Sequence, residues 1–411
     1  MSKQAYPKYK PSGVEWLGQI PRHWQIYRAK VLFRQIDERS TTGEEELLTV
    51  SHITGVTRRS EKNVNMFMAD SLEGYKKCES GDLVINTMWA WMGAMGISPE
   101  AGIVSPSYNV YRSRDSKCEV LFYDYLFRTG SFVAEVICHS KGVWSSRLRL
   151  YPEEFFEIRV PCPPPEEQRA IVRFLNRETK RIDTLIEKKQ RQIEFLQEKR
   201  AALVHEAIQV AGTRNIRLGN VADQVYRAID NRDEKMYVPI GLYNWGRGIF
   251  HKEPTLGSEL GDSDFFWIKS GDLVLSGQFA WEGAVALAGE EDAGCVASHR
   301  YPVLREKPEF LDTAYLWAFF TTKMGDFLLN EHSRGAAGRN RPLNTGSLMK
   351  EKIPVPPMYA QLRVSRHVYF EKQFNETVAK SLRLLAEYRT ALISVVVTGK
   401  IDVREEAHNA R

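Results

Sequence analysis

Two long segments of the chain carry apolar residues at the spacing of an amphipathic helix. Over residues 166–208, apolar side chains recur about every 3.6 residues, with Lys, Arg, Glu and Gln between them. Pro165 precedes this segment at a position that a first helical turn tolerates, and Gly212 follows it as a stop. Residues 362–395 repeat the pattern and end before Gly399. We predict two long helices, the first about 65 Å long at about 1.5 Å per residue.

The two predicted helices need each other for burial. A single amphipathic helix of this length would leave its apolar stripe in water, and the simplest cover is a second helix with a matching stripe. The first helix leaves the first domain and ends at the second domain. The second helix starts at the second domain and must run back along the first helix to bury its stripe. We therefore predict an antiparallel coiled coil with a domain at each end and pseudo-two-fold symmetry between the halves.

The chain contains an internal repeat with a period near 190 residues. Residues 80–94 and 270–284 share nine of fifteen residues without a gap. Two further pairs of segments align in the same order, residues 139–168 with 332–361 and residues 195–204 with 384–393. Solenoid units are far shorter, about 20–50 residues. The repeat therefore predicts a tandem duplication of whole domains.

Each copy begins with a mixed region of short apolar runs bounded by Gly, Pro and Ser. Such runs predict strands at residues 82–86, 103–110, 272–275 and 285–288. Helices are predicted at residues 121–127 and 311–321. The fold class is therefore α+β. We predict a first domain over 1–160, a helical segment over 161–212, a second domain over 213–353, and a helical segment with a tail over 354–411.

Composition and charge favour a globular protein with an anionic partner. Apolar residues make up 43% of the 411 residues, and 57 Lys and Arg face 52 Asp and Glu. The resulting pI is about 8.8, which is mildly basic. Five widely spaced cysteines fit neither a disulfide framework nor a paired zinc motif. With no signal peptide and no apolar run of membrane length, we expect a cytoplasmic location and no membrane contact.

Sequence motifs of common enzymes are missing. The chain has no phosphate loop, no GxGxxG after a strand, no HExxH, no GxSxG, and no Asn or Asp followed by two prolines and an aromatic residue. His139 and His332 occupy matching positions in the repeat, but no cysteine partner or carboxylate pair recurs beside both of them. We interpret them as capping or packing residues. We expect no catalytic and no metal-binding residue.

Basic and aromatic residues alternate in polar loops at matching places in both copies. Arg can hold phosphates or read guanine, and Asn pairs with adenine. The favoured DNA-binding residues are Lys141, Trp144, Ser145, Ser146, Arg147 and Arg149 in the first copy, with Arg334, Arg339, Asn340 and Arg341 in the second. Secondary candidates are Arg58, Arg59, Tyr243, Asn244, Trp245, Arg247, Ser298, His299 and Arg300. The competing interpretation is a set of solvated charged loops. Trp91 and Trp281 recur beside glycine, which favours core packing.

An ordered set of short motifs resembles one known family. SGDLV occurs in each half, IRVPCPPPEEQ and KIPVPPMYAQ precede the helices, GVEWLGQIPRHW opens the chain, and TGKIDVR lies near its end. This set is similar to the specificity (S) subunit of type I restriction-modification enzymes. The resemblance implies two target-recognition domains on a helical spacer, each reading one half of a split, asymmetric double-stranded DNA site.

The same resemblance implies partners and cofactors. The helical regions would bind methylation (M) subunits, expected as two copies, and motor-nuclease (R) subunits would complete the complex. S-adenosylmethionine, ATP and Mg²⁺ would belong to those partners, with no cofactor on this chain. One departure stands at the second junction, where Tyr359, Ala360 and Gln361 replace Glu166, Glu167 and Gln168. It argues against a shared role for the glutamate pair.

The predicted geometry implies a DNA site of two halves separated by an uncontacted spacer of around one helical turn. Spacer length would follow helix length. Two other functions stay open at this stage. One is a stand-alone site-specific DNA nuclease, and the other is a duplicated coiled-coil scaffold without a DNA role.

Overall fold

The computed structural model describes residues 4–62, 69, 71–114, 118–142, 148–229, 234–261, 263–335 and 341–405. By internal contacts the chain divides into two units. Unit 1 consists of Met1–Ile186 and Leu382–Arg411, and unit 2 of Glu187–Ser381. Both ends of the chain therefore belong to unit 1.

Unit 1 combines short antiparallel strands with helices. Its strands are β1 Tyr9–Pro11, β2 Gln19–Pro21, β3 Gln25–Arg28, β4 Phe33–Ile36, β5 Leu48–Ser51, β6 Gly55–Arg58, β7 Lys76–Cys78, β8 Leu83–Asn86, β9 Met95–Ile97, β10 Gly102–Val104, β11 Tyr108–Ser113 and β12 Arg159–Cys162. Its helices are α1 Ala29–Leu32, α2 Val120–Phe127, α3 Gly130–His139, α4 Pro152–Glu157 and the first part of α5 Pro165–Gln209. The main sheet has the order β4-β11-β8-β9, and β12 pairs with β3.

Unit 2 repeats this arrangement. Its strands are β13 Arg214–Arg217, β14 Ala222–Gln224, β15 Met236–Tyr237, β16 Ile240–Leu242, β17 Ile249–His251, β18 Thr255–Leu256, β19 Phe265–Trp267, β20 Leu273–Leu275, β21 Val285–Leu287, β22 Val296–Ser298, β23 Val303–Glu306 and β24 Lys352–Val355. Its helices are α6 Leu218–Val221, α7 Thr313–Phe320, α8 Lys323–Glu331, α9 Thr345–Leu348 and most of α10 Met358–Val397. The main sheet has the order β14-β23-β20-β21, and β13 pairs with β24.

The same topology thus occurs twice, which confirms the predicted α+β duplication. The central strand of each main sheet begins with the SGDLV motif, whose aspartate is buried. Asp82 accepts hydrogen bonds from the Nε and Nη2 atoms of Arg112, both at 2.8 Å. Asp272 accepts from Arg227 and from Arg305, the counterpart of Arg112. The motif therefore ties neighbouring strands of the sheet together.

Most predicted short elements are present, and one prediction is wrong. The predicted strand over 103–110 is instead two strands, β10 and β11. Pro106 lies between them, in a turn where the N–H of Tyr108 donates to the carbonyl of Ser105 at 2.9 Å. Because proline lacks an N–H, it ends the ladder at this place.

In each unit a segment of α5 packs antiparallel to a segment of α10. In unit 1, Ile171 and Phe174 share a core with Leu392 and Val396. In unit 2, Val204 shares a core with residues of early α10. α5 extends one residue beyond the predicted helix at each end. The predicted pairing of the two helices is confirmed within each unit.

Antiparallel direction in unit 2 follows from two ion pairs. Glu206, near the end of α5, pairs with Arg363 near the start of α10 at 3.0 Å. Arg200, earlier in α5, pairs with Glu371, later in α10. As residue numbers fall along one helix they rise along the other.

Both helices end at the predicted glycines. α5 ends at Gln209 and α10 at Val397, and Gly212 and Gly399 follow with φ of 94° and 73°. This left-handed conformation favours glycine. The stop signals in the sequence therefore act as expected.

The proline-rich junctions are explained by a buried glutamine in each copy. The side chain of Gln168 accepts from the N–H of Glu119 at 2.8 Å and donates to the carbonyl of Pro163 at 2.7 Å. Gln361 makes the equivalent bonds to Asp312 and Pro356. Each glutamine thereby joins the start of a long helix to the preceding strand and to the loop before α2 or α7.

The departure at the second junction has a structural reason. Glu167 is buried and accepts hydrogen bonds from the Tyr6 hydroxyl at 2.6 Å and from the Trp24 indole at 2.9 Å. Its other oxygen lies 2.6 Å from Nε2 of His23. These three partners come from the start of the chain. Unit 2 carries the small buried Ala360 at the equivalent position.

Candidate nucleic-acid interface

A surface turn follows the central strand β8 in unit 1. We call residues 87–93 the first aromatic turn. Trp89 is half exposed and stacks on Trp91, with ring centroids 6.0 Å apart and planes 20° apart. The Trp91 indole donates to the carbonyl of Met88 at 2.9 Å. Ala90 alone points into the core.

Unit 2 has the same turn after β20, at residues 277–283, which we call the second aromatic turn. Phe279 is exposed and Ala280 is buried. The Trp281 indole donates to the carbonyl of Gln278 at 3.1 Å. Core packing of Trp91 and Trp281 was therefore the wrong expectation. Each indole is only half-buried, because its N–H bonds within its own turn and the neighbouring alanine fills the core position.

The base of the first predicted DNA-binding loop lies against the first aromatic turn. Lys141 and Arg149 form two backbone hydrogen bonds, both of 2.9 Å, which close the base of the loop. The N–H of Leu150 donates to the carbonyl of Thr87 at 3.1 Å. The Lys141 ammonium pairs with Glu154, and this hydrogen bond raises the pKa of Lys141. Four further candidates lie outside the described residues: Trp144, Ser145, Ser146 and Arg147.

The second predicted loop starts at the same place in unit 2. Ser333 and Leu343 are bridged as antiparallel neighbours, and the N–H of Leu343 donates to the carbonyl of Gly277 at 2.9 Å. Thr87 and Gly277 are equivalent in the repeat. The bases of the two loops therefore contact equivalent positions of the two units. Arg339 and Asn340 lie outside the described residues.

Arg341 is held at the base of this second loop. Its Nε donates to the carbonyl of Ser333 at 3.2 Å, and its guanidinium carbon lies 5.0 Å from the centroid of the Trp281 ring. The side chain of Arg334 is 81% exposed, and its Nε and Nη2 donate to the carbonyl and the carboxylate of Glu331, both at 3.1 Å. The two arginines of one loop therefore differ in exposure.

Arg300 borders the same turn. Its carbonyl accepts from the N–H of Gly277 at 2.7 Å, which fixes its backbone beside the second aromatic turn. Its side chain is exposed, and no carboxylate pairs with it in the described part of the chain. It contributes an available positive charge.

The hairpin β16–β17 brings its tip to the opposite side of the same turn. The N–H of Trp245 donates to the carbonyl of Glu282 at 3.0 Å, and the side-chain amide of Asn244 contacts the Glu282 carboxylate. Arg247 lies over the Tyr243 ring, 5.3 Å from its centroid. Five separately predicted residues of unit 2 thus collect around one turn: Tyr243, Asn244, Arg247, Arg300 and Arg341.

Arg58 and Arg59 lie in the equivalent hairpin of unit 1, β5–β6, but at the end away from its tip. Arg58 forms a bidentate pair with Glu100, with N···O distances of 2.7 and 2.6 Å. This hydrogen bonding lowers the pKa of Glu100. The N–H of Arg59 donates to the carbonyl of Leu47 at 2.8 Å. Arg58 therefore has an internal partner at this position.

The repeated histidines lie at helix ends. His139 is the last residue of α3 and lies 3.4 Å from Glu135 and 3.9 Å from Glu154. Two carboxylates thus lie near His139 in space. His332 follows α8 and shares a 2.9 Å hydrogen bond with the Ser347 hydroxyl. Among the described residues no group of three or more His, Cys, Asp or Glu side chains could hold a metal ion.

Exposed aromatic residues complete this surface. Trp245 is 78% exposed and has a positive φ of 66°, a conformation that is rare for a bulky residue. Trp89 and Phe279 are also exposed. A signal for the last two was present, since the repeat itself places an aromatic residue at both positions. Exposed rings beside arginines can stack on bases while the arginines contact phosphates or base edges.

Part of the chain matches the model of a known family. Residues 35–195 match the family model described as the type I restriction modification DNA specificity domain. No significant match was found among curated protein sequences. Within the described residues, no helix combines the length and the apolar character needed to cross a membrane.

Solved structures align with most of the chain. A chain from work on complex assembly and conformational transition of the type I R-M system aligns with a TM-score of 0.59 and 17% identity, covering 93% of this chain and 99% of that one. The HsdS subunit from Thermoanaerobacter tengcongensis gives 0.48 and 16%, over 93% and 98% of the two chains. The type I S subunit from M. genitalium gives 0.49 and 12%, over 91% and 96%.

The evidence for the family comes from independent sources. The ordered motifs, the duplicated α+β fold and the matched specificity domain agree with one another. Residues 35–195 thus match a type I restriction modification DNA specificity domain, and the chain shares the fold of a solved chain from a type I R-M system.

Proposed function

We propose that this chain selects the DNA sequence for a type I restriction-modification complex. It binds a bipartite, asymmetric site on double-stranded DNA, and each unit reads one half. The chain carries no catalytic residue in this proposal. S-adenosylmethionine, ATP and Mg²⁺ are bound by partner subunits, and the complex works in the cytoplasm.

One observation carries the proposal. In both units a loop containing basic residues leaves the fold at the end of the same central strand, beside an exposed aromatic turn. The scaffold is repeated while the loop contents differ. Lys141 and Arg149 stand at the base of one loop, whereas Arg334 and Arg341 stand at the base of the other. A repeated frame with different contents suits a reader of two unlike half-sites.

The contacts divide by how firmly each side chain is held. Exposed cations such as Arg300 and Arg334 suit phosphate contacts, which position the protein without reading sequence. Held side chains suit base edges. The loop interiors at residues 144–147 and 339–340 remain predicted base-reading segments.

The long helices offer surface for the methylation subunits. Tyr369 and Phe370 on α10 are each 55% exposed, and Phe195 on α5 is exposed as well. Exposed large apolar side chains on a helix mark protein contact surfaces when they cluster. We assign methylation-subunit docking to these helical faces, and the motor-nuclease subunits join that assembly.

Salt dependence of DNA binding tests the DNA role. The chain copurified with its methylation subunit is titrated with duplex DNA from about 50 to 200 mM salt. Phosphate contacts predict a steep fall in affinity as salt rises. Partner binding that is insensitive to salt, with no DNA affinity, would favour the scaffold function. Mg²⁺-dependent cutting by the purified chain alone would favour the nuclease.

Spacer length should follow the length of α5. Insertion of four residues in helical register near Leu196 adds about 6 Å of helix. We expect the spacer in the DNA site to lengthen by one or two base pairs, since one step of duplex is about 3.4 Å. Both half-sites should stay the same. A matched control inserts four residues after Glu253, in the turn between β17 and β18, and should leave the spacer unchanged. Altered half-sites would refute the spacer role.

A further inference from the structure

We propose that Arg341 reads a guanine in the half-site recognised by unit 2. This inference rests on the proposed DNA function and assigns one base contact within it. It depends on how the guanidinium is held, on which of its atoms are available, and on the difference between the two copies.

The side chain of Arg341 is preorganised. Its Nε donates a hydrogen bond to the carbonyl of Ser333, and its guanidinium lies over the Trp281 ring. The carbonyl is itself fixed, because Ser333 is fully buried and its N–H donates to the carbonyl of Asn330 at 3.1 Å. The Trp281 ring is fixed by its bond to Gln278. Little side-chain freedom is left to lose on binding.

The atoms that remain available form a fork. With Nε occupied, Arg341 presents Nη1 and Nη2, and no acceptor pairs with either atom among the residues that the structure describes. Two parallel N–H donors match the O6 and N7 acceptors of guanine in the major groove, which is the commonest specific contact of arginine. Adenine offers a donor at N6 in place of O6, so the same fork rejects it.

Other arginines near this turn are less suited to read a base. Arg300, Arg247 and Arg334 are exposed, whereas Arg341 is half-buried. Arg247 also donates from Nε to a carbonyl, that of Asn244 at 3.0 Å, and lies over the Tyr243 ring, but its exposure sets it apart from Arg341. Arg334 pairs with the Glu331 carboxylate. A firmly placed donor pair discriminates bases, while a mobile cation follows any phosphate.

The first copy differs at this position. The repeat places Leu148 at the position of Arg341, and the counterpart of Trp281 is Trp91. Within the described residues of unit 1, that ring stacks on Trp89. We therefore assign the guanine contact to the unit 2 half-site alone, which contributes to the asymmetry of the whole site.

Two substitutions at Arg341 separate base reading from charge. The full chain is co-expressed with its methylation subunit, and methylated sites are mapped for the wild type, Arg341→Ala and Arg341→Lys. We expect one guanine of one half-site to become degenerate in both variants, with discrimination falling about 10- to 100-fold. Lysine keeps the charge but not the fork, so it should not restore the guanine. All other positions should stay specific.

Arg334→Ala is the matched control from the same loop. It removes an exposed cation and should weaken methylation evenly across sites without altering the motif. Wild-type discrimination by Arg341→Lys would overturn the guanine assignment and leave the two-part DNA reader intact. A wild-type complex that forms but methylates no split motif would overturn the DNA function and this assignment with it. Copurification of each variant with the methylation subunit verifies folding.

Discussion

The buried ion pair between α5 and α10 in unit 2 makes a quantitative prediction about stability. Arg200 is 12% exposed and Glu371 is 4% exposed. Arg200 also lies over the Trp317 ring, 4.6 Å from its centroid. The second oxygen of Glu371 has no hydrogen-bond partner within the described residues. Arg200→Ala therefore leaves a buried carboxylate without its cation, which costs about 3–5 kcal/mol.

The repeat supplies a control for this substitution. Arg389 is the counterpart of Arg200 and pairs with Asp183 at 2.9 Å, but the two side chains are 35% and 46% exposed. Surface pairs of this kind contribute about 0–1 kcal/mol. Arg389→Ala should therefore cost far less. Replacing both members of the buried pair with apolar residues, as Arg200→Met with Glu371→Leu, should recover most of the lost stability.

Urea unfolding followed by hydrogen exchange of peptides from each unit measures these costs. Resolution by unit is needed because a chain of two units need not unfold in one step. We expect Arg200→Ala to raise exchange in residues 187–381 and Arg389→Ala to change little. Equal, small effects of the two single substitutions would refute the reasoning, since Glu371 would then be solvated or protonated in the folded chain.

Two further predictions concern a helix end and an acidic side chain. A Cβ at position 399 would lie 2.4 Å from Cδ of Pro21, whereas one at position 212 would lie 3.3 Å from Cγ of Pro357. Both positions have a positive φ, so alanine is strained at either one. Thermal unfolding should therefore show that Gly399→Ala lowers the free energy of unfolding by about 2–5 kcal/mol and Gly212→Ala by only about 1–2 kcal/mol. The Ser40 hydroxyl, together with Lys77, lowers the pKa of Glu45 to about 2. Because the folded-state pKa lies below the unfolded one, this stabilisation is present above the unfolded pKa and is lost as pH falls toward 2. In Glu45→Gln, the free energy of unfolding should depend less steeply on pH in that range. An unchanged pH dependence would contradict this assignment.

The helices and the duplication were predictable because their signals are local or periodic. Apolar spacing of 3.6 residues places α5 to within one residue at each end, and Gly212 and Gly399 mark the stops. Gapless identities between residues 80–94 and 270–284 show two copies without any structural information. Hydrophobic burial explains both the helix periodicity and the repeated segment, since in each case the apolar positions are the ones that face a core.

Other features depend on contacts between distant residues and escaped prediction. The tip of hairpin β16–β17 meets the second aromatic turn through Asn244 and Glu282, which are 38 residues apart. Trp281 looks like a core residue from spacing alone, yet its indole bonds to Gln278 and leaves the ring at the surface. Arg58 pairs with Glu100, which lies 42 residues away in the sequence. Tertiary packing decided each of these cases.

Mapping of N6-methyladenine tests the central proposal most directly. The chain is co-expressed with its neighbouring methylation subunit, and the host DNA is sequenced as single molecules. We predict methylation at a split, asymmetric motif with a fixed spacer, one half for each unit. Absence of methylation despite a formed complex would contradict a DNA-reading role and favour the scaffold function.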